Sequence, residues 1–251
     1  MLLHGFGTSS FVWRAVAPSL ALAKRTAFAI DLLGYGESDR PFGEDFGIAA
    51  QAEYLDRAMT ALRLPRATIV GLDLGGGVAL RLAATRPERV ERLVLINSLA
   101  FDELPGEDVK TMQRNTARFA LRASRGVLGA APLLTPVLQG GVADPARMPP
   151  RLVARYLAPY VGSDGVSHLL VLGRSIRPGD LEDLDLKRIK VPTLLIWGEQ
   201  DRWTDPSVPD RLATAIRQSR LVRIPSAARL VPEDAPDQLS DLLIAFLAES
   251  S

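Results

Sequence analysis

The chain has no cysteine among its 251 residues, which removes disulfides, thiolate metal ligands and a cysteine nucleophile together. Histidine is nearly as scarce. His4 and His168 are the only two, so a reaction that needs an imidazole base has two candidates and no more. Charge of one sign is also missing, with 30 basic residues against 29 acidic ones. With that balance and no run of five like charges, the sequence has no electrostatic footprint for nucleic acid or an anionic membrane. No apolar run approaches the roughly 18 residues of a membrane span, and the N-terminus lacks a charged region followed by a signal-type apolar stretch. These absences point to a small-molecule substrate, no cofactor or metal, and a cytoplasmic location. They do not bear on the oligomeric state.

What is present is apolar bulk, 47% of the chain, enough for one large core. The first half alternates strand-like and helix-like segments, the pattern of a parallel sheet covered on both faces. Residues 26–31, 67–71 and 92–97 read as short buried strands. Residues 11–23, 48–62 and 76–86 read as helices, the last stopped by Pro87. From 102 to 179 the pattern changes to helix-like pieces broken by Pro132, Pro136, Pro145, Pro149, Pro150 and Pro159. Alternation then resumes with strands at 192–198 and 220–224 and helices at 208–217 and 236–248. The organisation expected is an α/β core of residues 1–101 and 180–251, interrupted by a helical cap over 102–179.

Four segments carry a resemblance. They are Leu2-Leu3-His4-Gly5-Phe6-Gly7, Asp31-Leu32-Leu33-Gly34-Tyr35-Gly36-Glu37-Ser38-Asp39, Gly71-Leu72-Asp73-Leu74-Gly75-Gly76, and Trp197-Gly198-Glu199-Gln200-Asp201. In that order they resemble the α/β-hydrolase fold over essentially the whole chain. The resemblance implies two further strands before the His-Gly motif, so the first strands of the fold are expected to be missing. Met1 stands where relatives often carry valine, which suggests a truncated gene model.

The third segment resembles a nucleophile elbow, a tight strand-to-helix turn, with Asp73 where most of the family has serine. Aspartate here resembles the epoxide hydrolases and haloalkane dehalogenases, whose carboxylate attacks carbon and forms an ester. The alternative is that Asp73 simply caps the helix that follows. Leu74 and Phe6 stand where dehalogenases carry their halide-holding tryptophan and asparagine, which argues against that activity. The backbone N–H groups of Phe6 and Leu74 occupy the family's oxyanion-hole positions. Tyr156 and Tyr160, four apart in the insertion, are candidates to donate protons to a substrate oxygen, or else packing residues of a cap helix. The resemblance gives His4 a structural role.

Asp201 matches the family's triad acid. The histidine it should orient falls, by the same resemblance, in Ile224-Pro225-Ser226-Ala227-Ala228-Arg229, and the position holds Arg229. Guanidinium stays protonated, so Arg229 cannot act as a base. It can pair with Asp201, Asp73 or both, as structure alone or as part of a site. His168 is the one imidazole left for catalysis. Three outcomes stay open: a hydrolase using Asp73 as nucleophile or general acid/base; a non-hydrolytic enzyme performing elimination, cyclisation or bond formation; and a ligand-binding or degenerate homologue without turnover.

Overall fold

Six strands run parallel in one sheet in the computed structural model, which describes residues 1–101, 110 and 129–249. They are β1 (Leu2–Leu3), β2 (Ala29–Ile30), β3 (Ala67–Leu72), β4 (Val90–Ile96), β5 (Thr193–Gly198) and β6 (Ser219–Ile224), in the order β2-β1-β3-β4-β5-β6. The central strands β4 and β5 are near-continuous apolar runs, and all but one of their residues are buried. That is what a strand covered on both faces requires.

The helices that cover the sheet are α1 (Ala17–Leu22), α2 (Ile48–Ala61) and α3 (Leu74–Thr85), then α4 (Ala131–Gly140), α5 (Pro150–Leu157) and α6 (Gly162–Ser175), and finally α7 (Val208–Ala215) and α8 (Pro236–Ala248). Two expectations are corrected in detail. The helix expected over 11–23 splits into a 3-10 turn at Ser10–Trp13 and α1, because Pro18 sits in the first turn of α1, where proline starts a helix but cannot continue one. The strand expected over 26–31 narrows to two residues. Its partner β1 pairs only Leu2 with Ala29 and Leu3 with Ile30, so the ladder ends there.

Between β4 and β5 the described residues are helical and contain no strand. Residues 102–109 and 111–128, part of the expected cap, lie outside the described residues. The prolines that break the pattern mark helix starts: Pro132 in the first turn of α4, and Pro149 and Pro150 at the entry to α5. Pro136 sits inside α4.

The insertion rests on the C-terminal edge of the sheet, where ligands bind in open α/β folds. Leu134 of α4 packs so closely over Gly7 that a Cβ there would lie 2.4 Å from its Cδ1. The N–H of Leu230 donates to the carbonyl of Gly141 at 2.7 Å. The imidazole of His168 on α6 reaches the carbonyl of Gly34 at 2.7 Å.

Candidate active site

One residue joins β3 to α3. Asp73 has φ +52° and ψ −112°, a conformation that costs a non-glycine residue about 1–3 kcal/mol and persists only where its surroundings impose it. They do so through the backbone: the Asp73 N–H donates to the Ile96 carbonyl at 2.9 Å, and the Asp73 carbonyl accepts from Gly77 and Leu99, both at 3.1 Å. The turn is also sterically closed to larger residues. A Cβ on Gly71 would lie 2.3 Å from the Gly75 carbonyl oxygen, and one on Gly75 would lie 2.5 Å from that of His4. The side chain of Asp73 makes no helix-capping hydrogen bond. It projects instead at the N-terminus of α3, where the helix dipole favours its ionised form.

Two groups meet that carboxylate. The N–H of Phe6 donates to Oδ2 at 2.8 Å. Nη2 of Arg229 stands 3.5 Å from the same oxygen, with the Arg229 side chain 3% exposed and that of Asp73 2% exposed. Phe6, expected to face a substrate oxyanion, thus gives its N–H to Asp73 itself. Leu74 is the first residue of α3 and is fully buried. Arg229 is delivered by a loop that Asp234 staples down, its Oδ2 accepting from Ala228 N–H at 2.8 Å and Ala143 N–H at 3.0 Å. Burial pushes the Asp234 carboxyl above its ordinary pKa, and those N–H donors oppose the shift.

Asp201 lies on the loop after β5. Its Oδ2 accepts from Asn97 Nδ2 at 2.9 Å and its Oδ1 from the Trp203 N–H at 2.9 Å. Asn97 was not singled out from the sequence, although an asparagine closing an apolar strand was a usable signal. At φ +38° it follows β4, accepts the Gly198 N–H at 2.8 Å, and ties Asp201 to the strand beside the elbow.

Both imidazoles are engaged. His4 is fully buried, accepts the Leu32 N–H on Nε2 at 3.1 Å and donates through Nδ1 to the Gly5 carbonyl at 2.9 Å. It braces the loop after β1, and burial holds its pKa below the usual value. His168 packs edge-on to Phe46 at 5.3 Å and spends Nε2 on Gly34. It fastens the insertion to the core, and its pKa is lowered, chiefly by burial.

The two insertion tyrosines separate. α5 ends at Leu157 and a 3-10 turn carries Tyr160, so they do not share one helix face. Tyr156 donates its hydroxyl to Glu233 and accepts from Arg14 Nη1 at 3.3 Å. Its hydroxyl proton is given to a buried carboxylate. Tyr160 is 1% exposed, and its hydroxyl has no hydrogen-bond partner among the described residues.

A second hydroxyl of this kind belongs to Tyr35, which the sequence reading passed over. Asp31 shapes its loop, accepting the Ser10 N–H at 2.6 Å and the Glu37 N–H at 2.8 Å. The Tyr35 ring is fully buried, 5.1 Å from the ring of His4 and 6.3 Å from that of Phe6. Its hydroxyl also lacks a partner among the described residues. Burial raises its pKa, with the neighbouring Tyr160 and Asp73 adding to the shift. A polar aromatic inside a glycine-flanked motif was its only trace in the sequence.

The arrangement sets a buried carboxylate against an arginine and an amide N–H, with Tyr35 near enough to feel its charge. Among the described residues, no three His, Asp or Glu side chains converge as metal ligands would, and no helix is long and apolar enough to cross a membrane.

Comparison with known proteins agrees with this frame. The family model for the alpha/beta hydrolase fold matches residues 1–236. The uncharacterized hydrolase YugF of Bacillus subtilis (strain 168) is 26% identical over 245 residues, which span 98% of this chain and 88% of that protein. Haloalkane dehalogenase 2 of Mycobacterium bovis is 27% identical over 259 residues, covering 97% of this chain and 86% of that one. A solved meta-cleavage product hydrolase from Pseudomonas fluorescens IP01 shares the fold with a TM-score of 0.83 at 23% identity, over 100% of this chain and 90% of its own. Three mycobacterial proteins are 42% identical over 98 residues, a stretch that spans 28% of their own length. With a six-stranded parallel sheet, helices on both faces and a family match over most of its length, the chain belongs to the alpha/beta hydrolase fold family.

Proposed function

We propose that the protein is an enzyme that opens a carbon–oxygen bond in a small organic molecule, an epoxide or ester, with Asp73 as the reacting carboxylate. The observation that carries this reading is the pairing of a buried, strained carboxylate with a buried arginine, beside a buried Tyr35 that feels the Asp73 charge and whose hydroxyl lacks a partner among the described residues. A buried donor left unsatisfied costs about 1–3 kcal/mol. A substrate bringing an acceptor oxygen recovers that cost.

Arg229 favours the ionised form that a nucleophile needs. A carboxylate oxygen of Asp73 attacks the electrophilic carbon, the carbon–oxygen bond breaks, and Tyr35 or Tyr160 gives its proton to the departing oxygen. The tyrosinate left behind then takes a proton from the water that hydrolyses the Asp73 ester formed from an epoxide, or the mixed anhydride formed at the acyl carbon of an ester, so protons balance without an imidazole. The Phe6 N–H and the Arg229 guanidinium, already at Oδ2, stabilise the oxyanion of that second step. Asp201 and Asn97 hold the strand ends in place. The same closeness of Arg229 disfavours Asp73 as a general acid, because it opposes the rise in pKa that role requires. Relatives named as hydrolases and as a dehalogenase support a displacement completed by water.

One observation favours a different reading. The Asp73 carboxylate already has two protein partners at one oxygen, as in a homologue that binds a ligand without turnover.

Incubation of the protein with styrene oxide and with p-nitrophenyl acetate separates the two. Turnover is expected with at least one probe, lost in Asp73→Asn. In Tyr35→Phe/Tyr160→Phe, mass spectrometry is expected to find the ester retained on the elbow peptide. Neither product nor adduct with either probe overturns the enzymatic reading, and thermal stabilisation without product supports the binding one.

A further inference from the structure

A second concave surface lies where the insertion meets the core, independent of the chemistry assigned to Asp73. It is a groove of about 610 Å³, a size suited to a small molecule. Phe11 and Glu233 line it from the core, and Arg147, Arg151, Leu152 and Arg155 from the insertion. Arg14 also reaches it, so four guanidinium groups face a single carboxylate among the lining residues, in a chain whose total net charge is only +1.

That carboxylate is already neutralised. Arg14 holds Glu233 through Nη1 at 2.6 Å and Nη2 at 2.7 Å, and Tyr156 donates to it as well. Arg147 acts electrostatically on Asp234, which leaves Arg151 and Arg155 to face one another. Arg151 and Arg155 stand one turn apart on α5, about 6 Å along the helix axis, and neither makes an ion pair among the described residues. Like charges at that spacing repel. A merely solvated face lets such side chains spread into water, but here Arg155 is stacked over the Phe11 ring at 5.3 Å, with Arg14 over the same ring at 4.4 Å. The stacking orders one cation at the groove wall before any ligand arrives, which lowers the entropy cost of binding.

We propose that this groove binds a small dianion, a diphosphate or a dicarboxylate, whose two charged ends engage Arg151 and Arg155 while its body lies along Leu152 and Phe11. Guanidinium groups pair with either anion in a bidentate fashion. Because its walls come from both the core and the insertion, a ligand there clamps the two together and stabilises the fold by mass action.

The test uses the 251-residue protein at about 0.1 M ionic strength, where the Debye length is about 10 Å and diffuse attraction is screened. Titration calorimetry and thermal unfolding with inorganic pyrophosphate and with succinate are expected to show saturable one-to-one binding and a rise in Tm with at least one. Pyrophosphate alone identifies a phosphate ligand, and succinate alone a carboxylate. Arg151→Gln/Arg155→Gln is expected to weaken binding at least about tenfold, whereas Arg57→Gln, the same charge change on exposed α2, leaves it intact. Arg151→Gln alone provides the comparison if the double variant does not fold. Asp73→Asn retains binding, which separates this site from the proposed reaction. No saturable binding of either anion, equal weakening in Arg57→Gln, or binding only to phosphatidylserine vesicles overturns the proposal.

Discussion

Arg229 Nη2 stands 3.5 Å from Asp73 Oδ2 in a place where both side chains are almost wholly shielded from water. Each charge has lost most of its hydration, so each is tolerable chiefly because the other is there.

Removing one member of the pair is therefore expected to cost more than removing both. Arg229→Met should destabilise the fold by about 3–5 kcal/mol, and Asp73→Asn combined with Arg229→Met should restore much of the loss. Denaturant unfolding of the two single variants and the double variant measures the coupling. Additive losses would show that the two charges do not sustain each other.

The tyrosines should divide stability from activity. Tyr156→Phe removes a hydrogen bond to buried Glu233 and is expected to cost about 1.5–3 kcal/mol. Tyr160→Phe and Tyr35→Phe remove hydroxyls without partners among the described residues, so stability should stay within about 0.5 kcal/mol of the parent or rise. Turnover should fall in those two and persist in Tyr156→Phe. Marked destabilisation of Tyr35→Phe would mean that its hydroxyl serves the fold.

Steric closure at the elbow predicts a contrast between glycines. Gly75→Ala drives a Cβ to 2.5 Å from a backbone oxygen and is expected to cost about 3 kcal/mol or more. Gly179, with nothing within 4 Å of its notional Cβ, starts a helical turn, so Gly179→Ala should gain about 0.4–1 kcal/mol. Thermal melts of the two variants decide it.

Stability should rise with pH across the neutral range. Burial holds the pKa values of His4 and His168 below that of an ordinary histidine. In these windows the unfolded chain binds protons that the folded chain refuses, so stability is full above the unfolded pKa values and is lost as pH falls toward the folded ones. Asp180 and Asp234, raised above 3.8 chiefly by burial, act in the opposite sense at lower pH. A Tm that stays level from pH 5.5 to 8 would contradict this account.

Much of the architecture was legible in the sequence because it rests on local, periodic demands. Apolar runs such as residues 92–97 and 192–198 can only be strands covered on both faces. Gly71, Gly75 and Gly76 around Asp73 announced a turn too tight for side chains. What failed was local where the cause was non-local: β2 is short because its partner β1 is short, and the helix over 11–23 is interrupted at Pro18. At the site, Arg229 was legible as a departure from a pattern. The partnerless hydroxyl of Tyr35 was not, since whether a buried phenol finds a partner depends on every neighbour brought to it.

Taken alone, the sequence determined the order of the strands and helices and the aspartate in a glycine-rich strand-to-helix turn, because these follow from residue type and spacing. Tertiary structure alone decided which charges meet. It set Arg229 against Asp73 and gave Asp201 to Asn97. It tied Tyr156 to Glu233 while leaving the buried hydroxyls of Tyr160 and Tyr35 without partners among the described residues. Those choices depend on distances across the folded core, where a few ångströms in a medium that excludes water decide whether a polar group is paired, strained or ready for a substrate.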